Sequence, residues 1–192
     1  VGIPTAYLLA KRKTKIYKIL DLLISIPIVL PPSVAGIALL TAFGNNGFIS
    51  KFINPRVAFN FTALIFVQIF VALPIFVQLT KEGFENISTE VEEAARVSGA
   101  GEKEVLFYIF IPICFKNILM AIFMSFLRGA GEFGASMVFA GNLAGKTQTV
   151  SILFWQSIDT AEYKECKRRT ISRGIFARAF RFGFWIYTQS ST

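Results

Sequence analysis

The sequence contains no histidine and only two cysteines among its 192 residues. The lack of histidine excludes histidine-based catalytic triads, histidine metal sites and histidine proton relays. Cys114 lies in an apolar stretch and Cys166 in a basic one, so they do not form a disulfide framework. The sequence also shows no nucleophile–base pattern and no cluster of metal ligands. It therefore argues against an enzyme and predicts no cofactor in this chain.

Charged residues are also scarce, at 17%, whereas hydrophobic residues make up 54% and the mean hydropathy is +0.56. Soluble domains are about 45–50% apolar and cannot bury much more. Here the apolar residues fall in runs of about 20, the length of a helix that crosses roughly 30 Å of hydrocarbon. The composition therefore predicts a single-domain, all-α polytopic membrane protein.

Long apolar runs predict the membrane crossings. We expect crossings over residues 24–43, 61–80 and 117–140, and we interpret residues 1–10 as the end of a further helix. The chain opens inside an apolar run at Val1, which we interpret as a missing N-terminal portion. A signal peptide does not fit, because its basic residues precede the apolar run and here they follow it.

Lysine and arginine are unevenly distributed among the short connections between these runs. Residues 11–18 and 81–104 hold five and three of them, whereas residues 45–60 and 141–148 hold two and one. Basic connections lie on the cytoplasmic side of a membrane protein, so the first pair is predicted to be cytoplasmic. The net charge of +8 therefore indicates membrane orientation rather than a nucleic-acid partner.

An acidic segment with glycines, residues 81–112, interrupts the apolar runs on that predicted cytoplasmic side. Its alanines give a slim, strongly helical surface that another protein can approach closely. Gly99 permits a turn with positive φ between two short helices. The segment is thus suited to binding by a partner; the alternative is an ordinary charged loop. The positions that carry the pattern are Glu93, Ala94, Ala95, Gly99, Ile109 and Pro112.

The spacing of these positions resembles the EAA loop of ABC importer permeases. Gly99 follows the Glu-Ala-Ala triplet after three residues, and Ile109 follows Gly99 after nine; only Ile111 departs, where leucine is usual. In that family the loop forms two short helices that sit in a groove of the ATPase subunit and transmit its closure. The resemblance implies an ABC importer permease-type bundle, here lacking its first helix, in which the listed positions couple to the ATPase.

A second group of polar and small residues lies in the predicted crossing 117–140. Arg128 and Glu132 are four residues apart and so share one helical face. A lone charge at mid-membrane costs about 2.5–3.5 kcal/mol, so each residue offsets the other there. Gly131 and Gly134 allow close helix contact. If the helix instead starts near Val105, Arg128 falls at the outer interface.

Prolines interrupt the predicted crossing 24–43. Pro31 and Pro32 remove backbone donors, and the freed carbonyls require protein or a water-lined path nearby. A simple kink in a packed helix is the alternative. The candidates for the translocation path or gate are therefore Pro31, Pro32, Arg128, Gly131, Glu132 and Gly134.

Residues 128–149, with a GEFGA core that leads into GN…GKTQT, resemble the same stretch of molybdate or tungstate transporter permeases. Sulfate permeases match the loop less well, whereas IPIVLPPSVAG at residues 26–36 resembles the molybdate subfamily too. The resemblance covers about residues 1–158. It implies a homodimeric permease in the lipid of the cytoplasmic membrane, with cytoplasmic ABC ATPase subunits and an external oxyanion-binding protein. A self-contained secondary transporter or channel, or a truncated non-functional permease, is the alternative.

The stretch from Gly141 to Thr147 is one residue short of a phosphate-binding loop, whose first glycine falls on Ala140. Such a loop needs a preceding strand and a following helix, whereas this one falls in a predicted external connection. We therefore expect no ATP binding in this chain. Lys146 is either an ordinary loop lysine or attracts oxyanions at the outer mouth.

Residues 159–192 depart from the family pattern, which needs a further crossing after Ile158. This tail carries seven basic and three acidic residues, and its longest charge-free run near the end, residues 182–192, is too short to span. Burying its charges in hydrocarbon costs about 2.5–3.5 kcal/mol each. We expect a non-spanning tail that is disordered or lies on the membrane surface, and we interpret it as a truncated or frame-shifted end.

A frame-shift makes a prediction about the gene. The coding DNA just beyond Ile158, read in another frame, is expected to encode a run of about 20 apolar residues. Sequencing the locus and translating both alternative frames measures this. The absence of such a run from both frames would establish a genuine basic tail.

Overall fold

The computed structural model describes residues 1–44, 47, 49 and 58–159, and over these residues it contains helices and turns but no strand. The all-α prediction is confirmed. The predicted tail, residues 159–192, lies outside the described residues except for the backbone of Asp159, as does most of the connection 45–60. In chain order the elements are α1 (Gly2–Lys11), α2 (Lys15–Val29), α3 (Pro32–Phe43), α4 (Phe61–Glu85), α5 (Thr89–Val97), α6 (Glu102–Glu104), a π-helical segment π1 (Val105–Phe110), α7 (Ile111–Ile113), α8 (Phe115–Ala130), a second π-helical segment π2 (Ser136–Ala140) and α9 (Val150–Asp159).

The chain divides into two compact units, of which unit 1 comprises Val1–Ile28 and Leu73–Phe126. Its core is built on three aromatic side chains from α1, α4 and π1. The ring centroid of Tyr7 lies 6.3 Å from that of Phe84 and 5.2 Å from that of Phe110, in edge-on contact. Each such pair contributes about 0.5–1.5 kcal/mol beyond the burial of its area. This cluster therefore joins the end of α1 to the elements on either side of α5.

Unit 2 comprises Val29–Ala72 and the described residues of Leu127–Thr192. Here α3 packs closely on π2. A Cβ atom on Gly36 would lie 2.8 Å from Ala135 Cα and 2.9 Å from Val138 Cβ, so a side chain larger than hydrogen does not fit. The small residue in α3 thus sets the close approach of these two elements.

Helix α4 is, within the described residues, the one helix that is long and apolar enough to cross a membrane by itself. The helix predicted over residues 61–80 is confirmed, and it continues to Glu85. Two bent helix pairs reach the same length and composition, namely α2 with α3, and residues 102–113 with α8. The described part of the chain therefore contains one to three candidate spans.

The predicted crossing over residues 24–43 is interrupted at its prolines, and the interruption is a break between α2 and α3 rather than a simple kink. The chain leaves the helix at Leu30 and starts a new one at Pro32. Pro31 is extended, with φ −55° and ψ 136°, because the helical region is sterically disfavoured for a residue that precedes proline. Pro32 then occupies the first turn of α3, where the missing N–H costs no intrahelical bond.

The predicted continuous helix over residues 117–140 is wrong. Helix α8 starts at Phe115, ends at Ala130 and is separated from π2 by a turn that contains Gly131 and Gly134. Glycine is about 1 kcal/mol less favourable than alanine in a helix, so two glycines within four residues favour the break. The alternative start near Val105 is not a continuous helix either, since residues 102–113 bend by 77° against α8 at Cys114.

Candidate functional site

The first candidate site is the predicted coupling segment, residues 81–112, which contains α5. Acidic residues in the first turn of α5 stabilise the positive end of its dipole. The helix closes with the Gly99 N–H bound to the Arg96 carbonyl at 2.9 Å and the Ala100 N–H bound to the Ala95 carbonyl at 3.0 Å. This is a Schellman motif, which requires positive φ at the residue after the cap. Gly99 has φ +89°, so its predicted conformation is confirmed.

The two faces of α5 differ in burial. Glu93 and Ala94 are exposed, whereas Ala95 is half-buried and packs on the core of unit 1. Val97 is 89% exposed and extends the outward face by an apolar side chain. The Glu-Ala-Ala triplet therefore supplies both the inner contact and the outer surface of the helix.

The second half of the coupling segment lies after the Gly99 turn. Ile109 is half-buried and packs on the same core, whereas Pro112 is exposed in the short helix α7. Tyr108 is 79% exposed. The structure thus brings the two halves of the predicted pattern onto one core and leaves an outward surface on each.

Sequence analysis missed an ion network on the inner side of α5. Lys11 of α1 forms an ion pair with one oxygen of Glu92, and Arg96 Nη2 lies 2.9 Å from the other. The Lys11 ammonium also lies 4.4 Å from the centre of the Phe110 ring. The i,i+4 spacing of Glu92 and Arg96 signals one half of this network, but nothing local signals the contact with Lys11. Because Lys11 touches Glu92, connections 11–18 and 81–104 meet at one end of unit 1.

The network lowers the pKa of Glu92. Burial of the carboxyl raises the pKa, but hydrogen bonds donated by Lys11 and Arg96 outweigh burial and hold it below its ordinary value. The stabilisation by this carboxylate is therefore fully present above the ordinary glutamate pKa of about 4.3 and is lost as the pH falls through the lowered pKa. The Glu92 network is intact at neutral pH.

A separate polar cluster joins α2 to α4 within unit 1. Asp21 accepts hydrogen bonds from Lys81 Nζ at 2.6 Å and from Gln78 Nε2 at 2.7 Å. Gln78 Nε2 also lies 2.9 Å from Ser25 Oγ. These bonds satisfy polar groups that interrupt two apolar helices, which is their structural role.

The second candidate site is the turn between α8 and π2 in unit 2. Arg128 Nη1 lies 2.7 Å from Glu132 Oε2, which confirms the predicted contact. The other oxygen, Oε1, accepts the Ala135 N–H at 2.7 Å. The Glu132 side chain is 0% exposed and that of Arg128 is 28% exposed. The pair therefore ties the end of one helix to the start of the next, while its depth in the membrane stays a prediction.

Two more of the predicted path residues meet at this turn. A Cβ atom on Gly134 would lie 3.0 Å from the Ser33 backbone nitrogen and 3.1 Å from Pro32 Cβ. The start of α3 thus lies directly against the turn that follows α8. Pro31 and Gly131 are exposed. Pro31 lies in the break before α3, and Gly131 lies in the turn after α8.

The loop from Gly141 to Thr147 follows the π-helical segment π2 instead of a strand. The buried Thr147 hydroxyl accepts the Leu143 N–H at 3.0 Å and donates to the Gly141 carbonyl at 3.1 Å. The hydroxyl of Thr147 thus holds the loop closed. The loop also lacks the preceding strand of a phosphate-binding loop. Lys146 projects from it as an exposed residue.

The apolar helices are interrupted after α2 and after α8, and residues 81–112 form a segment in two halves with exposed side chains on each. These features are those of an all-α membrane component. A family model described as "Binding-protein-dependent transport system inner membrane component" matches residues 2–185. The chain belongs to this family. The matched range extends past Ile158 into the tail, whose structure stays a prediction.

Among known proteins, the chain is similar to the probable transport system permease protein NifC of Clostridium pasteurianum, with 40% identity over 156 residues, 79% of this chain and 54% of NifC. It is 34% identical over 169 residues to the molybdenum transport system permease protein ModB of Haemophilus influenzae, covering 86% of this chain and 74% of that protein. ModB of Azotobacter vinelandii is 28% identical over 193 residues, covering 98% of this chain and 84% of that protein. The chain thus spans about half of the length of NifC and most of the two ModB proteins.

The positive φ of Gly99 makes a prediction about α5. Gly99→Ala is expected to cost about 1–2 kcal/mol locally, because a Cβ is disfavoured in the left-handed region. Amide hydrogen exchange of residues 89–104 should accelerate roughly 5–30-fold. Gly101→Ala is the matched control, because Gly101 has φ −75° and only Glu104 Oε2, at 3.8 Å, near its Cβ position. Equal exchange in the two variants would contradict the role of the turn.

The unequal exposure of Arg128 and Glu132 makes a second prediction. Arg128→Met should destabilise the protein by about 3 kcal/mol, because it leaves a buried carboxylate without its partner. Glu132→Gln should cost less, since Arg128 is partly exposed, and the double variant should be more stable than Arg128→Met alone. Thermal unfolding in detergent, analysed as a double-mutant cycle, measures this. Lys146→Met, at an exposed loop cation, is the control, and simple additivity would contradict the pairing.

Proposed function

We propose that the chain is the permease subunit of an ATP-driven oxyanion importer, with molybdate as the transported ion. In this proposal the chain carries out no chemistry. A cytoplasmic ABC ATPase subunit hydrolyses ATP, an external oxyanion-binding protein delivers the substrate, and a second permease copy completes the path. The family membership and the molybdenum transport function named for both ModB relatives support the proposal.

The observation that carries the proposal is the two-sided build of α5. Glu93, Ala94 and Val97 are exposed on the outward face of the helix. Ala94 has the smallest side chain of the three. A partner can therefore approach the helix backbone closely at Ala94 while Ala95 holds the inner face to unit 1. We infer that the outward face docks on the ATPase, together with the exposed residues of the second half of the segment.

The turn at Glu132 supports a role in the translocation path. Two helix ends meet there, that of α8 and the start of α3, through Gly134 and Pro32. A short turn between packed helices concentrates backbone rotation at a few residues, as hinges do. In the proposal, the two ATPase states bind differently to the permease and so shift this turn between two arrangements. Pro31, Arg128, Gly131 and Glu132 are its remaining path or gate candidates.

A self-contained secondary transporter or channel is the alternative, and an ATPase requirement separates the two. The chain is expected to co-purify with a cytoplasmic ABC ATPase subunit of its own organism. Together with the binding protein, it is expected to support uptake of molybdate only when ATP is present. Excess tungstate should compete more strongly than excess sulfate. Uptake that survives ATP depletion and stops when the proton gradient is collapsed would overturn the proposal.

A matched pair of variants tests the docking surface within the same experiment. Ala94→Phe is expected to abolish ATPase co-purification, because a bulky ring blocks the close approach to α5. Ala144→Phe, in the exposed loop between π2 and α9, is expected to leave it unchanged. Retention of the ATPase by Ala94→Phe would place the docking surface elsewhere.

A further inference from the structure

The end of α1 is fastened to the coupling segment on both sides of Gly99. Lys11 pairs with Glu92 on α5, before the turn, and its ammonium lies 4.4 Å from the centre of the Phe110 ring on π1, after the turn. The Tyr7 ring, one turn earlier in α1, also packs edge-on against Phe110 at 5.2 Å. One side chain, that of Lys11, therefore bridges the two halves of the segment and connects both to α1.

The Lys11–Glu92 contact is shielded from water. The Lys11 side chain is 22% exposed and that of Glu92 is 13% exposed. Arg96 holds the second oxygen of Glu92 at 2.9 Å, so the carboxylate has both oxygens engaged and cannot rotate away from Lys11 without losing a bond. Charge-assisted hydrogen bonds are directional and about twice as strong as neutral ones. The contact thus fixes one point on α5 to one point on α1.

The remaining contacts of α5 are of another kind. Ala95 packs on the core through a single methyl group, a contact that is non-directional and tolerates sliding. The neighbouring ion pair of Arg12 with Glu102 spans 3.9 Å between side chains that are 51% and 58% exposed. Exposed pairs of this kind contribute little. Lys11 therefore supplies the ion pair that connects α5 to α1.

We propose that Lys11 is the positioning residue that transmits displacement of α5 to α1. The proposal rests on the proposed function, in which the ATPase moves α5 from its outward face. Coupling between distant sites travels through contiguous contacts that have discrete arrangements. A shift of α5 that preserves the Lys11–Glu92 bond must carry the end of α1 with it, whereas a shift that breaks the bond leaves α1 behind.

The experiment uses the full chain with its ATPase and binding protein in proteoliposomes, with molybdate as the probe. The measured quantity is molybdate transported per ATP hydrolysed. Lys11→Met is expected to lower this ratio roughly five-fold or more while the ATPase still co-purifies. The fold tolerates this change, because Tyr7 continues to hold α1 through Phe84 and Phe110. Lys11→Arg, which keeps the charge, should retain most of the ratio, and Arg12→Met, the matched control, all of it.

An unchanged ratio in Lys11→Met, or an equal fall in Arg12→Met, overturns the proposal. A second measurement does not depend on the ATPase: hydrogen exchange of the last turn of α1, residues 8–11, in Lys11→Met, Glu92→Gln and the double variant. The double variant should exchange no faster than the faster single variant, because the two residues act as one contact. If the accelerations of hydrogen exchange in the two single variants add up in the double variant, the role of Lys11 is overturned, whether or not the ATPase binds. If the unmodified chain does not bind the ATPase, the proposed function alone is refuted.

Discussion

Backbone groups at helix ends have no partner within their own helix, and this constraint shapes both candidate sites. At the end of α5 the carbonyls of Ala95 and Arg96 are satisfied by a turn that only positive φ at Gly99 allows. After α8 the carboxylate of Glu132 accepts the Ala135 N–H and starts the next segment. At α3 the first turn begins with Pro32, which has no N–H to satisfy. The three helix ends are thus satisfied in three different ways, and each involves a candidate functional residue.

Charge pairing follows the same logic within each unit. In unit 1 Glu92 is engaged by Lys11 and Arg96, and in unit 2 Glu132 is engaged by Arg128 and a backbone N–H. A carboxylate with little contact with water is stable only when its oxygens are bound in this way. The same bonds make each carboxylate a fixed reference point between two elements.

The chain belongs to a family of inner membrane components of binding-protein-dependent transport systems. In the proposed function, the exposed face of α5 is where such a component contacts its ATPase. The exposed Ala94 lies on this face, and the Glu92–Lys11 ion pair connects the same helix to α1. The glycine turn separates this surface from the second half of the segment, while Lys11 keeps both halves attached to α1.

The sequence by itself determined the features that depend on a few neighbouring residues. Apolar runs indicated the helical membrane class, and the i,i+4 spacing of Arg128 and Glu132 predicted their contact. The spacing of the triplet and Gly99 predicted a glycine turn between two short helices. The prolines already indicated an interruption in crossing 24–43, whereas the break within 117–140 emerged only from the folded chain, because hydropathy is averaged over a run and is insensitive to one turn within it. The tertiary structure alone placed Lys11 on Glu92, 81 residues away along the chain, because the pairing of two such distant charges depends on how α1 and α5 pack and leaves no local pattern.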